Sequence, residues 1–209
     1  MKRIEKLIEA VKPYYQKNTD PAHDWPHITR VAACALKLAS LENADVACTL
    51  AAVYCHDLVN LPKDHPDRIK SSALAAGEAR PLLEQAGFNA EEIKKIQSAV
   101  VEHSYSKGLR PTTIEGAVVQ DADRLDALGA IGILRCAAVC ALMKSRFYDA
   151  NDPLAKNREL DDRAFMLDHY FVKLFKLPDL MNTEAAKNEG HQRVEYMRSF
   201  MEKLLSEIA

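Results

Sequence analysis

Apolar residues recur along this chain at the spacing of helices and almost nowhere at that of strands. Ile4, Leu7, Ile8 and Val11 stand at i, i+3, i+4 and i+7, which predicts an amphipathic helix running to about Lys17. Asn18 to Ala22 reads as a turn. Asp24-Trp25-Pro26 reads as an N-cap with proline in the first turn of a helix to about Leu41. Asn43 or Ala44 opens the next helix, which ends near Asp57. Pro62 and Pro66 make Leu58 to Asp67 a loop. Further helices are predicted at about 69–86, 90–105, 112–124, 126–148, 159–176 and 184–207. Gly87 fits a C-cap, and Asn151 to Glu159 a polar break. No repeat and no step in composition interrupts the 209 residues, so the expectation is a single all-α domain.

Composition narrows the function classes. Apolar residues make up 48% and charged residues 28%, with a net charge of −2, as in an ordinary globular protein. This balance gives no reason to expect nucleic acid or an anionic membrane as partner. Glu5, Lys6, Glu9 and Lys12 break any apolar leader segment, so the N-terminus does not read as a secretory signal. Leu125 to Met143 is the most apolar stretch, but it holds Asp126 and Arg135 and reads as a buried core helix rather than a membrane span. The cysteines Cys34, Cys48, Cys55, Cys136 and Cys140 are odd in number, form no CxxC and lie in apolar helical patterns. They read as small hydrophobes in a reducing compartment, and the expected location is the cytoplasm.

Candidate chemistry lies where polar residues fall on apolar faces. Val46, Leu50, Val53 and Asp57 share one helix face, so Asp57 points toward the core. His56 lies about 100° round that helix, near enough to its end to reach inward. His27 heads the stripe Val31, Cys34/Ala35, Leu38, and Asp123 lies on a stripe of Val119, Ala127, Ala130 and Leu134. Buried carboxylates need a cationic partner or a metal. Asp57 could pair with Arg30, and Asp123 with Arg124 or Arg135. One divalent ion held by His27, His56, Asp57 and Asp123 would satisfy all four at once. A set of two imidazoles and two carboxylates suits Mn²⁺, Fe²⁺, Co²⁺, Ni²⁺ or Zn²⁺ better than Ca²⁺.

The order of these residues resembles the HD-domain metal-dependent phosphohydrolase superfamily. Ala22-His23-Asp24-Trp25-Pro26-His27-Ile28-Thr29-Arg30-Val31 resembles the opening segment of that family, and Ala51-Ala52-Val53-Tyr54-Cys55-His56-Asp57 its central helix. Val101-Glu102-His103-Ser104-Tyr105-Ser106 is similar to the E-H-S segment of one bacterial branch. Asp121-Ala122-Asp123-Arg124-Leu125-Asp126-Ala127-Leu128-Gly129-Ala130-Ile131-Gly132 resembles that branch's D-A-D-R-L-D-A segment. The resemblance covers about residues 20–145, with further helices over 146–209.

It implies an all-α HD fold with the metal among central helices, and His27, His56, Asp57 and Asp123 as ligands of one divalent ion. Manganese is favoured, with Mg²⁺, Co²⁺, Ni²⁺, Fe²⁺ or Zn²⁺ as alternatives. Asp121 is the rival for the fourth place; Asp123 is preferred because it precedes Arg124-Leu125 and lies on the stripe. Asn60 stands where some nucleotidase members carry a glutamate, a departure from their pattern. The implied reaction is hydrolysis of a phosphate ester or anhydride, with a nucleotide as substrate and phosphate or pyrophosphate released. His103 and Glu102 are the proton-transfer candidates. Arg30, Arg68, Lys70, Lys107 and Arg124 are candidates for holding phosphate. His23 and Asp126 are expected to support the ligands from behind. Trp25 staples its helix or stacks a base. A nucleotide-binding module without turnover is the alternative, and a homodimer is left open.

Overall fold

A computed structural model describes residues 2–16, 23–61, 65–104 and 107–208. The turn expected at Asn18–Ala22 lies outside these residues, as do Lys17, Pro62, Tyr105 and Ser106. Among the described residues the regular structure is α-helix with short 3₁₀ turns, as the apolar periodicity requires. Contacts divide the chain into two compact units, Met1–Asp123 and Arg124–Ala209.

The first unit is built around α3, Val46–Cys55, which packs against α1 (Lys2–Gln16), α2 (Trp25–Leu41), α4 (Ser71–Ala86) and α5 (Ala90–Glu102). Its side chains explain why it can sit in the middle. Cys48, Thr49, Ala51, Ala52, Val53 and Cys55 are all buried, and most are small enough for neighbouring helices to close on several sides. α3 starts later than expected. Asn43 adopts φ +55, which a helix interior cannot hold, and the N-cap is Asp45, whose carboxylate accepts from Ala47 N at 2.9 Å and Cys48 N at 3.0 Å. α3 also ends earlier, at Cys55, so Asp57 lies in the turn that follows rather than on a helical stripe.

Local signals set the neighbouring ends, at Asp24 and Gly87 as expected. Asp24 caps α2 by accepting from His27 N at 2.9 Å, with Pro26 in the first turn. Gly87 closes α4 with φ +92, a conformation that costs glycine nothing. Asn89 and Glu92 form a capping box at the start of α5.

α6, Ile114–Asp126, runs across the point of division. The second unit holds α7 (Gly129–Met143), α8 (Met166–Val172) and α9 (Glu184–Ile208). The expected helix over 126–148 begins only at Gly129, after a sharp turn. Gly129 has φ +72, and a Cβ on Gly132 would stand 2.3 Å from Ala127 O, so no other residue fits there. This break cuts the apolar stripe that led from Val119 through Asp123 to Leu134. The expectation of a buried core helix is also corrected. Gly129, Gly132, Ile133 and Cys140 are buried, but Leu134 is 66% and Leu142 65% exposed.

The expected helix over 159–176 shrinks to α8 plus a 3₁₀ turn. Aspartates compete with the helix for the preceding amides. Asp149 takes Asn151 N and Asp152 N, Asp152 takes Lys156 N and Asn157 N, and Asp161 takes Arg163 N and Ala164 N. Among the described residues no single helix is long and apolar enough to cross a membrane. All five cysteines are free thiols.

Candidate metal centre

Three helix ends in the first unit place imidazoles. His27 is the third residue of α2, and the Asp24 cap holds its backbone N–H. His56 is the C-cap of α3, with Nδ1 2.7 Å from Val53 O. His103 is the C-cap of α5, with Nδ1 2.6 Å from Val100 O. A carbonyl accepts only, so in His56 and His103 the proton sits on Nδ1 and Nε2 presents its lone pair. The three rings are packed edge to face, His27 to His56 at 5.5 Å and His56 to His103 at 4.8 Å between centroids.

Two carboxylates face these nitrogens. Asp57 Oδ2 lies 3.7 Å from His27 Nε2 and 3.4 Å from His56 Nε2. Asp123 Oδ1 lies 3.6 Å and 3.9 Å from the same two atoms. The other Asp57 oxygen, Oδ1, lies 3.9 Å from His103 Nε2. These separations exceed a hydrogen bond of about 2.7–3.2 Å. Donors sharing one ion through bonds of about 2.1 Å stand about 3.0–4.2 Å apart, depending on their angle at the ion. The observed 3.4–3.9 Å falls in that range. His27, His56 and Asp57 form one group able to hold a metal ion, and His56, His103 and Asp123 another. Imidazole and carboxylate together fit a divalent transition metal, so the donor set suits the group that the sequence implies.

The electrostatics agree with the geometry. Burial pushes the Asp57 carboxyl up, but His56, His23, His103 and His27 outweigh it and hold it well below the usual carboxylate range. Asp123 is held low in the same way, with burial opposed by His56, His27 and His103. His103 is pushed down by its own burial and by His56.

The sequence-predicted residues divide clearly. The structure brings together His27, His56, Asp57, Asp123 and His103, with His23 packed edge-on against His27 at 5.9 Å. Asp121 is fully buried but in neither group, because two residues on α6 turn a side chain about 200° away. Glu102 is held elsewhere. Its carboxylate accepts from Thr112 N and Oγ1, both at 2.9 Å, and from Ser98 Oγ at 3.0 Å, which ties α5 to the segment before α6. Arg68 donates to Asn60 Oδ1 at 3.0 Å and to Leu61 O, so it braces the loop after Asp57. Lys70 makes an exposed pair with Asp67 at 2.6 Å. Arg30 and Lys107 are half-buried. In the second unit, Arg124 donates to Leu180 O at 2.5 Å, and Asp126 accepts from Arg135 at 2.7 Å.

One residue of this region escaped the sequence reading. Tyr15 is 2% exposed, and its hydroxyl donates to Tyr54 O at 2.9 Å. Its signal was present: Tyr15 continues the stripe Ile4, Leu7, Val11, and a phenol on a buried stripe needs an acceptor. Trp25 lies beside it, 6.0 Å from the Tyr15 ring and stacked on Tyr54 at 5.9 Å.

Comparison with known proteins places this arrangement. Residues 25–128 match the HD domain. The protein YpgQ of Bacillus subtilis is 29% identical over 210 residues, covering 97% of this chain and 94% of that protein. Its crystal structure in complex with ADP superposes with a TM-score of 0.75 at 30% identity, covering 99% of this chain and 95% of that one. An HD-superfamily hydrolase from Bacillus thuringiensis is 35% identical with a TM-score of 0.74, covering 98% and 95%. The chain belongs to the HD-domain superfamily, whose resemblance its motifs carried.

Proposed function

We propose that this protein is a divalent-metal-dependent phosphohydrolase acting on a nucleotide. His27, His56, Asp57 and Asp123 would hold one divalent ion, with manganese favoured. The observation that carries the reading is the meeting of two imidazole Nε2 atoms and two carboxylates, each nitrogen 3.4–3.9 Å from an oxygen of both. The nucleotide is supported by the relative YpgQ, whose structure was solved in complex with ADP. A bound divalent ion supplies Lewis acidity toward a phosphoryl oxygen and lowers the pKa of water.

The chain's own residues do the rest. His27 and His56 donate lone pairs, while Asp57 and Asp123 supply the negative charge that balances the ion. His103 keeps its proton on Nδ1 through Val100 O, which leaves Nε2 as a proton acceptor beside Asp57 Oδ1. Nε2 takes the proton of the attacking water and returns it to the leaving oxygen. Arg30 follows His27 by one turn of α2, and Lys107 follows His103 by four residues; these are the cations proposed to face phosphate.

The test is release of phosphate and pyrophosphate from a panel of nucleoside mono-, di- and triphosphates with Mn²⁺, Mg²⁺, Co²⁺ and Ni²⁺. Metal-dependent release of either product is expected. Nucleotide binding with no release under any metal would replace the enzyme by a binding module.

A further inference from the structure

At the end of α3 two carbonyls are taken by side chains, Val53 O by the His56 ring and Tyr54 O by Tyr15 from α1. A helix leaves its last carbonyls without intrahelical partners, and each must be satisfied. Val53 O takes the His56 ring at 2.7 Å, and Cys55 O takes Leu58 N at 3.3 Å. Between them, Tyr54 O takes the hydroxyl of Tyr15 at 2.9 Å. Of these three bonds, only the last comes from another helix.

Had α3 continued, Leu58 N would be the partner of Tyr54 O, four residues on. Instead Tyr54 O receives the Tyr15 hydroxyl, and Leu58 N bonds Cys55 O. The chain therefore tightens into a turn at His56-Asp57. Tyr15 is buried, its ring lies against Trp25, and Trp25 stacks on Tyr54. The backbone N–H of Asp57 also acts on its oxygen.

We propose that Tyr15 is a positioning residue that sets the register of the His56-Asp57 turn from α1, a helix lying outside the matched residues 25–128. Its bearing on metal binding rests on the functional reading above; its effect on the turn does not. A mere packing role would need only the ring, whereas the register depends on the hydroxyl.

Tyr15→Phe in the full chain separates the two. The metal-free variant should fold, and amide hydrogen exchange at Asp57 and Leu58 should change selectively. Its Mn²⁺ affinity, read by titration calorimetry, should fall about tenfold, at the lower end of what loss of a group supporting a ligand costs. Val11→Ala removes buried α1 packing but no hydroxyl, and Tyr14→Phe removes an exposed one. Neither control should change exchange at Asp57 and Leu58 selectively or weaken Mn²⁺ binding as much. Unchanged exchange in Tyr15→Phe, or an equal loss of Mn²⁺ affinity in Val11→Ala, overturns the proposal. Absence of Mn²⁺ binding in the wild type overturns the metal reading instead, and the exchange measurement still decides the role of Tyr15.

Discussion

Both units bury aspartates, and they neutralise them differently. In the second unit Asp168 is 1% exposed and takes a two-pronged grip from Arg158, at 2.5 Å and 2.9 Å, plus Asp161 N at 2.7 Å. Asp126 takes Arg135 at 2.7 Å. These are closed pairs at hydrogen-bond distance, with a permanent cation supplied by the fold. In the first unit the groups that act on Asp57 and Asp123 are imidazoles held 3.4–3.9 Å away. An imidazole is neutral near pH 7 unless perturbed, so it cannot serve as a permanent counter-charge. The difference teaches how to read a buried carboxylate: with a guanidinium it is architecture, and with converging imidazoles it is a place for a cation.

Substitutions can break this contrast, the largest effect first. Asp57→Ala should abolish metal retention and activity together, beyond the about 100-fold that loss of a supporting group costs. Elemental analysis and phosphate release check it; full metal content with normal turnover in the variant sinks the assignment. Asp123→Ala should behave likewise, while Asp121→Ala should keep its metal. Loss at Asp121 alone would move the fourth ligand.

In the second unit, Arg158→Ala removes the two-pronged partner of Asp168 and should lower the midpoint of urea unfolding. Chelation should leave a variant lacking Asp57 untouched but destabilise the wild type. Restoring the ion at 100 times its Kd should return about 2.7 kcal/mol, visible as a shift in Tm.

The smallest effect is in acid. Asp57 and Asp123 have folded pKa values below the ordinary one, so the stability they contribute is present above about pH 4 and is lost as pH falls further. Asp57→Asn should flatten that slope in the metal-free protein. A slope unchanged from wild type would show that the histidines do not hold Asp57 low.

Much of this could be read along the chain. The caps at Asp24, Gly87 and Asn89-Glu92 are local chemistry, and their helices begin or end where that chemistry acts. The cluster residues were legible because polar groups at apolar positions are costly and therefore conspicuous. Other features depended on distant partners. Asp57 was expected on a helical stripe, yet it faces the histidines from a turn just after Tyr54, whose carbonyl accepts from Tyr15 39 residues away. Glu102 stood next to His103 in the sequence, but Thr112 and Ser98 take its carboxylate. α7 has the composition of a core helix and still exposes Leu134 and Leu142.

Helical period, capping and the presence of inward polar residues are properties of neighbours in sequence, and the chain alone determined them. Which oxygen faces which nitrogen, which carboxylate receives an arginine, and where α3 stops were decided only by the tertiary structure. The reason is that each of these depends on groups far apart in sequence, which meet only when the helices pack.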